Sequence, residues 1–319
     1  MSEEFSLDGA LDQCPPASHL YICVPAYDNR ICIQTSASIT AGIAELVAAG
    51  IEVVNGFVAG CCYLDHTRNM AVNKFLKSDA TDLLFVDADV ACKPEYFPLI
   101  ARQEVPLVAG IYPKKSEQRS WPLDLLGWKV IIDSRGLMSV NGLPTGFMRI
   151  NRKVFDKMRE AGVAPKYVDP LEGEMHAYFQ TVVEKEIFWG EDYNFCRRWR
   201  EIGGKCYAIP DLDFCHIGTK TWKDNLMSWI RDNASSVKEI PDPEAGKGKV
   251  MTSPNPYANP MSLHNPEGKI PVDAVLPPMK GAKKNDKGAP NGRVLRSPKP
   301  DRRRAKLRKP LPGSQPQGL

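Results

Sequence analysis

Residues 81–90 read TDLLFVDADV, an apolar run that ends in two carboxylates. The apolar run at 83–86 predicts a buried strand over residues 81–86, because short apolar runs bounded by polar residues are typical of strands inside a sheet. Two carboxylates, Asp87 and Asp89, follow directly. In open α/β sheets, ligands bind beyond the carboxyl ends of the strands. The stretch therefore predicts a ligand site at the end of a central strand.

Strand and helix patterns alternate on both sides of this stretch. Strand, helix and strand in succession favour right-handed crossovers and a parallel sheet. We therefore expect an α/β fold, doubly wound, with a mostly parallel sheet. The predicted strands cover residues 19–25, 51–58, 106–111, 147–150 and 205–209, and the predicted helices cover 35–49, 65–78, 94–104, 154–160 and 191–202. A hairpin is expected over 128–143, turning at 133–136, and mobile loops that shape an acceptor site are expected at 112–118 and 120–122.

The composition indicates a folded protein with reduced thiols. With 43% hydrophobic residues, the 319-residue chain can bury a sizeable core, which excludes a fully disordered protein. No apolar run approaches the roughly 20 residues of a membrane span, and the amino terminus lacks the layout of a signal peptide. We expect a cytoplasmic location, in the host cytoplasm if the gene belongs to a phage. The nine cysteines form no CxxC pair, so a zinc site is not expected.

Charge divides the chain into two parts. Residues 245–319 hold 16 Lys and Arg against 4 Asp and Glu, a net charge of +12, together with 13 of the 27 prolines. The rest of the chain has 26 basic and 34 acidic residues, a net charge of −8. A proline-rich basic segment buries too little apolar surface to fold. We expect a disordered amino terminus (1–18), one folded domain (19–235) and a disordered basic tail (236–319).

The two carboxylates of the central stretch are candidate metal ligands. Asp87 and Asp89 offer hard oxygen donors, which suit Mn²⁺ or Mg²⁺ bridging a diphosphate. His216 follows a predicted strand and the acidic loop 211–213, from which it can complete the coordination of the metal. The alternative is that both aspartates form Asx turns and satisfy loop backbone groups.

A second acidic pair opens a predicted helix. Glu191 and Asp192 lie in its first turn, where the helix dipole favours ionised carboxylates. An ionised carboxylate near an acceptor hydroxyl can act as general base. The alternative is plain capping of the helix.

Other polar and aromatic side chains are expected near the same edge of the sheet. Arg68 and Asn69 lie early in the helix before the central strand, where they either contact a base or phosphate or form a surface salt bridge. Trp121 and Trp189 are candidates for stacking on a sugar or base, although core packing is the commoner fate of a residue such as Trp189.

Five segments, taken in order, resemble the A-type glycosyltransferases, and in particular small family-2-like members from bacteria and phages. They are VPAYDNR, HTRNMAVNKFL, LLFVDADVACKPEYF, PTGFMRINRKVFDKM and GEDYNFCRRWREIGGKCYAIPDLDFCHIG, and they span roughly residues 19–222. The resemblance implies a metal-dependent transfer of sugar from a nucleotide-diphospho-sugar carrying UDP, GDP or dTDP. No QxxRW motif follows the acidic pair, which favours a single addition over processive synthesis.

The resemblance also implies residue roles. The donor nucleotide and sugar are assigned to Pro25, Ala26, Tyr27, Arg68, Asn69, Asp87, Ala88, Thr145 and Gly146. The metal, Mn²⁺ or Mg²⁺, is assigned to Asp87, Asp89 and His216. Asp192, with Glu191 beside it, is assigned as the base, and a base at Asp192 favours inversion at the anomeric carbon.

Three other functions remain open at this stage. A nucleotidyltransferase requires a Gly-rich, basic loop after the first strand, where this chain has PAYDNR. A metal-dependent nuclease or topoisomerase-like domain requires a glutamate at the end of an earlier strand, and residues 53–58 offer none. A non-enzymatic nucleic-acid-binding protein would act through the basic run at 302–309. The basic tail also makes a polyanionic acceptor such as modified DNA a candidate, bound through residues 280–309.

Overall fold

A large mixed sheet forms the centre of the protein in the computed structural model, which describes residues 11–126, 129–233 and 249–252. The strands are β1 (His19–Ala26), β2 (Glu52–Ala59), β3 (Asp82–Val86), β4 (Val90–Cys92), β5 (Leu107–Gly110), β6 (Asp124–Leu125), β7 (Lys129–Ile132), β8 (Met138–Gly142), β9 (Phe147–Asn151), β10 (Lys166–Asp169), β11 (Gly173–His176), β12 (Val182–Glu184), β13 (Ile187–Trp189), β14 (Cys206–Ile209), β15 (Asp213–Ile217), β16 (Thr221–Asn225) and β17 (Lys249–Thr252). The helices are α1 (Ile33–Ala48), α2 (Leu64–Leu76), α3 (Tyr96–Ala101), α4 (Arg152–Glu160), α5 (Glu191–Glu201) and α6 (Leu226–Asn233).

The order of strands across the sheet is β17-β7-β8-β14-β5-β9-β3-β1-β2, and β6 pairs with β8. Strands β2, β1, β3, β5 and β14 run in one direction. Strand β9 lies between β3 and β5 and is antiparallel to both, so Phe147 pairs with Val86. The α/β class, the mostly parallel sheet and its main elements are confirmed. The reversed strand at its centre was not predicted.

Helices cover both faces of the sheet, as a doubly wound fold requires. Alternate side chains of β3 point to opposite faces. Leu84 packs in the cluster that contains α1 and α3, whereas Leu83 and Phe85 pack in the cluster that contains α2, α4 and α5. All five residues of β3 are buried, which explains why this stretch reads as an almost unbroken apolar run.

A small second sheet, β16-β15-β4, lies beyond the end of β3. Strand β4 begins at Val90, immediately after the DAD segment, and pairs with β15, so that His216 lies opposite Val90. The Ile217 amide also donates to the Asp89 carbonyl at 2.8 Å. His216 follows β14, the strand after which it was expected, and lies within the next strand, β15. The pairing brings it to the end of β3 from about 130 residues further along the chain.

The amino-terminal segment differs from its prediction as a disordered region. Residues 11–18 pack on the domain, with Leu11, Cys14 and Ala17 buried. The Cys14 amide donates to the Glu104 carbonyl at 3.1 Å, and the Ala17 amide to the Ala101 carbonyl at 2.8 Å. The apolar residues of this segment are too few to show a period, so its packing could not be predicted from the local pattern.

Within the predicted basic tail, residues 249–252 form β17 on the edge strand β7. The rest of the tail, including residues 280–309, lies outside the described residues. Among the helices that the structure describes, none is both long and apolar enough to cross a membrane.

Candidate active site

An open cleft of about 660 Å³ lies at the carboxyl ends of β1 and β3. Its walls include Pro25, Ala26 and Tyr27 from the end of β1, and Asp87, Ala88 and Asp89 from the end of β3. The Tyr27 ring is 67% exposed. The loop after the first strand and the DAD segment, which the sequence placed at one edge of the sheet, therefore line one cleft.

Asp89 and His216 face each other at this cleft. The Nε2 atom of His216 lies 3.5 Å from Oδ1 of Asp89. Lys115 Nζ donates a hydrogen bond to Oδ2 of the same carboxylate. Burial raises the pKa of the Asp89 carboxyl, but the hydrogen bonds from His216 and Lys115 outweigh burial and hold the pKa below its ordinary value. Asp89 is therefore an ionised carboxylate, with the His216 ring beside one oxygen and the Lys115 ammonium bonded to the other.

The segment after β5 orients the His216 ring. The Nδ1 atom lies 2.8 Å from the Pro113 carbonyl, to which its N–H donates, and the ring packs edge-on against Tyr112 at 5.0 Å between centroids. With that proton on Nδ1, a neutral ring turns the lone pair of Nε2 toward Asp89. A lone pair and a carboxylate at this separation need a cation or a proton between them. Histidine ligands of metals are commonly held by such a bond from the second ring nitrogen.

Asp87 has a different environment, although it lies only two residues from Asp89. Oδ1 of Asp87 accepts from Nη2 of Arg68 at 3.1 Å, and Nε of Arg68 donates to Oε1 of Glu191 at 3.2 Å. The Arg68 side chain is 2% exposed. Burial lowers the pKa of the Arg68 guanidinium, but Asp87 and Glu191 outweigh burial and raise it. Arg68 therefore joins the end of β3 to the start of α5.

Asp192 lies next to this ion pair, in the first turn of α5. Its Oδ1 accepts from the Tyr193 amide at 2.8 Å, whereas the N-cap residue of the helix is Gly190, which makes no side-chain cap bond. Burial, followed by the charge of Glu191, raises the pKa of Asp192 from 3.8 to about 7, while the Tyr193 amide and Arg68 act in the opposite direction. A carboxylate that titrates near neutral pH is suited to accept a proton during catalysis.

Two side chains at the site, Asp89 and His216, are of the kinds that bind divalent cations. Among the described residues, no group of three His, Cys, Asp or Glu side chains is arranged to hold a metal. Asp89 and His216 provide two ligands, and Asp87 is engaged by Arg68. A Mg²⁺-type ion commonly takes one or two protein ligands and completes its coordination with substrate phosphates and water.

The structure gives other roles to several predicted site residues. Asn69 is tied to the backbone of Phe179 through both side-chain atoms, at 2.8 and 2.9 Å, which corrects its expected contact with a ligand. The burial of Arg68 excludes the surface salt bridge. Trp121 is fully buried and packs at 4.9 Å from Trp229, so it is not available for stacking on a sugar.

The remaining predicted residues lie close to the site. Thr145 is buried, and the Gly146 carbonyl accepts from the Asp87 amide at 3.0 Å. A Cβ at Gly146 would lie 2.6 Å from the Tyr112 ring, which explains the glycine. Trp189 is partly buried, with the Arg197 guanidinium 5.4 Å from its ring centroid.

Two lysines at the site were missed by the sequence analysis. Lys115 contacts Asp89. Burial lowers the pKa of Lys114, and the opposing effect of the Asp192 charge is smaller. Their only signal is a basic doublet in a predicted loop, and such doublets are common on surfaces. Their approach to the site depends on contacts that the local sequence does not reveal.

No protein-family model and no curated protein sequence matches this chain. Its fold is similar to several solved structures. A197 from STIV matches with a TM-score of 0.39 and 19% identity, over 63% of this chain and 86% of that one. The catalytic domain of Drosophila β1,4-galactosyltransferase 7, solved with xylobiose, matches with a TM-score of 0.38 and 13% identity, over 72% and 91%. The inositol-1-phosphate CTP transferase of T. maritima matches with a TM-score of 0.33 and 8% identity, over 63% and 90%.

A mutant of the same galactosyltransferase, in complex with manganese, UDP-Gal and xylobiose, also matches, with a TM-score of 0.35. At these levels of similarity, the side chains of the site carry the functional conclusion.

Proposed function

We propose that the protein is a metal-dependent glycosyltransferase of the A-type fold, which moves one sugar from a nucleotide-diphospho-sugar to an acceptor hydroxyl. The observation that carries the proposal is the pairing of Asp89 with His216, whose Nε2 lies 3.5 Å from Oδ1 of Asp89. The two residues come from distant parts of the chain and meet at a cleft lined by the loop after the first strand. The Asp192 carboxyl, whose pKa is raised to about 7, lies beside the ion pair that Arg68 forms with Asp87 and Glu191.

The donor nucleotide is proposed to occupy this cleft. Tyr27 offers an exposed aromatic face on which a base can stack, and Pro25 and Ala26 continue the same wall. The diphosphate would then reach Asp89, at the other side of the cleft. Thr145 and Gly146 are proposed to lie beside the donor sugar, because the Gly146 carbonyl is bonded to the Asp87 amide.

Asp89 and His216 are the residues that would hold Mn²⁺ or Mg²⁺. Asp87, the third ligand that the family resemblance implies, is hydrogen-bonded to Arg68. An imidazole ligand suits Mn²⁺ better than Mg²⁺. A bound divalent ion supplies stabilisation of the negative charge that grows on the leaving diphosphate.

Asp192 is proposed as the general base. The acceptor oxygen attacks the anomeric carbon of the sugar, its proton passes to the Asp192 carboxylate, and the bond between that carbon and the diphosphate oxygen breaks. A single displacement of this kind inverts the configuration at the anomeric carbon. Glu191 and Arg68 hold the start of α5 in place, since Arg68 Nε donates to Glu191.

We specify the acceptor only as a molecule with a hydroxyl group. Residues 280–309, from which the sequence predicts a polyanionic acceptor, lie outside the described residues. DNA is therefore not part of this proposal.

A donor hydrolysis screen tests the proposal. UDP-, GDP- and dTDP-sugars are incubated with the full chain and Mn²⁺, and release of nucleoside diphosphate is measured. We expect release from at least one donor, dependence on Mn²⁺, and loss of release in Asp89→Ala. Asp213→Ala is the matched control, because Asp213 lies on β15 and pairs with the exposed Lys93 at 3.1 Å, outside the cleft.

Two results would overturn the proposal. One is metal-dependent release that is unaffected by Asp89→Ala. The other is consumption of a nucleoside triphosphate with release of pyrophosphate and no reaction with any nucleotide-sugar, which would indicate a nucleotidyltransferase.

A further inference from the structure

Asp89, which is proposed to bind the metal, already forms an ion pair with a lysine of the protein. Lys115 Nζ donates to Oδ2 of Asp89, while Oδ1 of the same group faces His216. Lys115 is 33% exposed and Asp89 is 35% exposed, so the pair lies at the surface of the cleft. Ion pairs with this exposure are weak and exchange readily with other partners.

The position of Lys115 is set by the segment that carries it, residues 112–121, which we call the strap. On one side of Lys115, the Pro113 carbonyl accepts from His216 at 2.8 Å. On the other side, Arg119 donates twice to Asp224 of β16, at 2.6 Å in each bond. The predicted mobile loop is thus bound at both ends to the β15–β16 hairpin. Its lysine is directed at Asp89 by these anchors.

Further contacts support the same placement. Glu117 of the strap accepts from Lys220 at 2.5 Å. The carbon chain of Lys115 lies along Gly218, where a Cβ would come within 3.2 Å of Lys115 Cδ. A glycine at position 218 therefore leaves room for the lysine to lie across the turn between β15 and β16.

The Arg68 guanidinium is less free to move than the Lys115 ammonium. Arg68 is buried and engaged by both Asp87 and Glu191. Lys115 has a flexible four-carbon chain that ends in a compact charge. A divalent cation on Asp89 and His216 would repel the lysine ammonium, because the two positive charges would share one carboxylate. A diphosphate bound next to that cation offers the nearest new anionic partner.

We propose that Lys115 is an exchangeable counter-ion, which neutralises Asp89 before the donor binds and then moves to the diphosphate of the donor. The proposal deepens the proposed function and rests on it. A variant that lacks the ammonium should therefore change the affinities for metal and for nucleotide in opposite directions. Binding of metal alone improves because a competitor is gone, and binding of nucleotide with metal weakens because a phosphate ligand is gone.

The test measures the two affinities separately on the full chain. Binding of Mn²⁺ alone is followed by the loss of the free-Mn²⁺ paramagnetic resonance signal, and binding of UDP, GDP and dTDP at saturating Mn²⁺ is followed by calorimetry. For Lys115→Met we expect Mn²⁺ alone to bind about two- to fivefold more tightly, the range of an exposed ion pair. The preferred nucleotide should bind about tenfold more weakly, the size of one charge-assisted hydrogen bond.

Two further variants sharpen the result. Lys93→Met removes a lysine from another exposed lysine–aspartate pair, at 3.1 Å from Asp213, and should change neither affinity. Gly218→Ala keeps the ammonium but crowds its carbon chain. It should therefore tighten the binding of Mn²⁺ alone, with a smaller loss of nucleotide affinity than Lys115→Met.

The outcomes separate this proposal from the proposed function. Unchanged affinities in Lys115→Met, or weaker binding of Mn²⁺ alone, would overturn the role of Lys115 while leaving a metal-dependent wild-type protein intact. If the wild-type chain binds neither Mn²⁺ nor any nucleotide, both the proposed function and the exchange that depends on it fail.

Discussion

Strand β3 has an arginine–aspartate pair at each end, and the two pairs differ in their exposure to solvent. At its start, Asp82 pairs with Arg149 at 3.4 Å, and both side chains are fully buried. Just past its other end, Asp87 pairs with Arg68 at 3.1 Å, but the Asp87 side chain is 24% exposed. The two aspartates, Asp82 and Asp87, are therefore five residues apart in the sequence, but the first lies in a dry environment and the second in a cleft.

The partners of each arginine explain the difference. Arg149 donates to the backbone carbonyls of Ala101 and Val105, and Asp82 accepts from Asn151 at 3.1 Å. Burial raises the pKa of Asp82, and Arg149 opposes this. Arg68 instead lies between two carboxylates, Asp87 and Glu191, that line or border the cleft. The other partners of the first pair belong to the buried fold, whereas the second pair holds acidic groups at the edge of the sheet where ligands bind.

We expect the strongest effect on stability at the buried start of β3, where Asp82 pairs with Arg149. Arg149→Met would leave Asp82 buried without its counter-charge, and removing one partner of a buried pair costs about 3–5 kcal/mol of unfolding free energy. Urea unfolding at pH 7 measures the loss. Replacing both partners, as Arg149→Met with Asp82→Leu, should recover most of it, since an apolar pair of similar volume avoids the cost of burying charge. A single variant as stable as the wild type would mean that the pair does not stabilise the fold.

The next effect is on catalysis at the cleft end. Asp192→Asn is nearly isosteric, so nucleotide affinity should persist while kcat falls by at least about 10²-fold. In the wild type, only the deprotonated base is active, and the pKa of Asp192 is raised to about 7. The rate should therefore fall about tenfold for each pH unit below 7 and level off above it. A pH–rate profile of donor turnover measures this.

The pH dependence of folding stability provides an independent test of the raised pKa of Asp192. The folded protein holds the Asp192 proton more tightly than the unfolded chain, so the free energy of unfolding should decrease as pH rises from about 4 to 7. Asp192→Asn should remove that part of the slope. If turnover survives while nucleotide affinity collapses, Asp192 belongs to the donor site instead.

The smallest effect in this series is that of Arg68→Met on stability. Asp87 and Glu191 are 24% and 14% exposed, so both can take up water when the guanidinium is lost. We expect a loss of about 1–3 kcal/mol, the range of hydrogen bonds to charged groups. Since Arg68 lowers the pKa of Asp192, its removal should also move the midpoint of the pH–rate profile to higher pH. A loss as large as that of Arg149→Met, with an unmoved midpoint, would remove the contrast between the two ends.

The elements that could be predicted are those whose pattern is local. Strand β3 shows its burial in a run of four apolar residues, and α5 shows its start in Glu191 and Asp192. The direction of β9 could not be predicted, because it depends on pairing with β3 and β5, which precede it by 37 residues or more. The β12–β13 hairpin was missed because Val183 and Phe188, which pair across it, are 73% and 60% exposed, so its apolar residues do not mark a core.

The site shows the same division. The edge of the sheet and the positions of Asp87 and Asp89 follow from the end of β3. The meeting of Asp89 with His216 was expected both from the position of His216 after a predicted strand and an acidic loop and from the family resemblance. The approach of Lys115 depends on the contacts of the strap with β15 and β16. Arg68 was expected at this edge of the sheet, but its burial and its two carboxylate partners depend on the packing of α5 against the sheet.

The amino-terminal segment also decides how the protein should be handled at the bench. Arg149 Nη2 donates to the Cys14 sulfur at 3.8 Å, so residues 11–17 close the outer side of the pair at the start of β3. A truncated gene that begins at the first strand, residue 19, would expose this arginine to solvent and remove the buried Leu11, Cys14 and Ala17. Affinity tags and fusion partners for expression therefore belong upstream of residue 11.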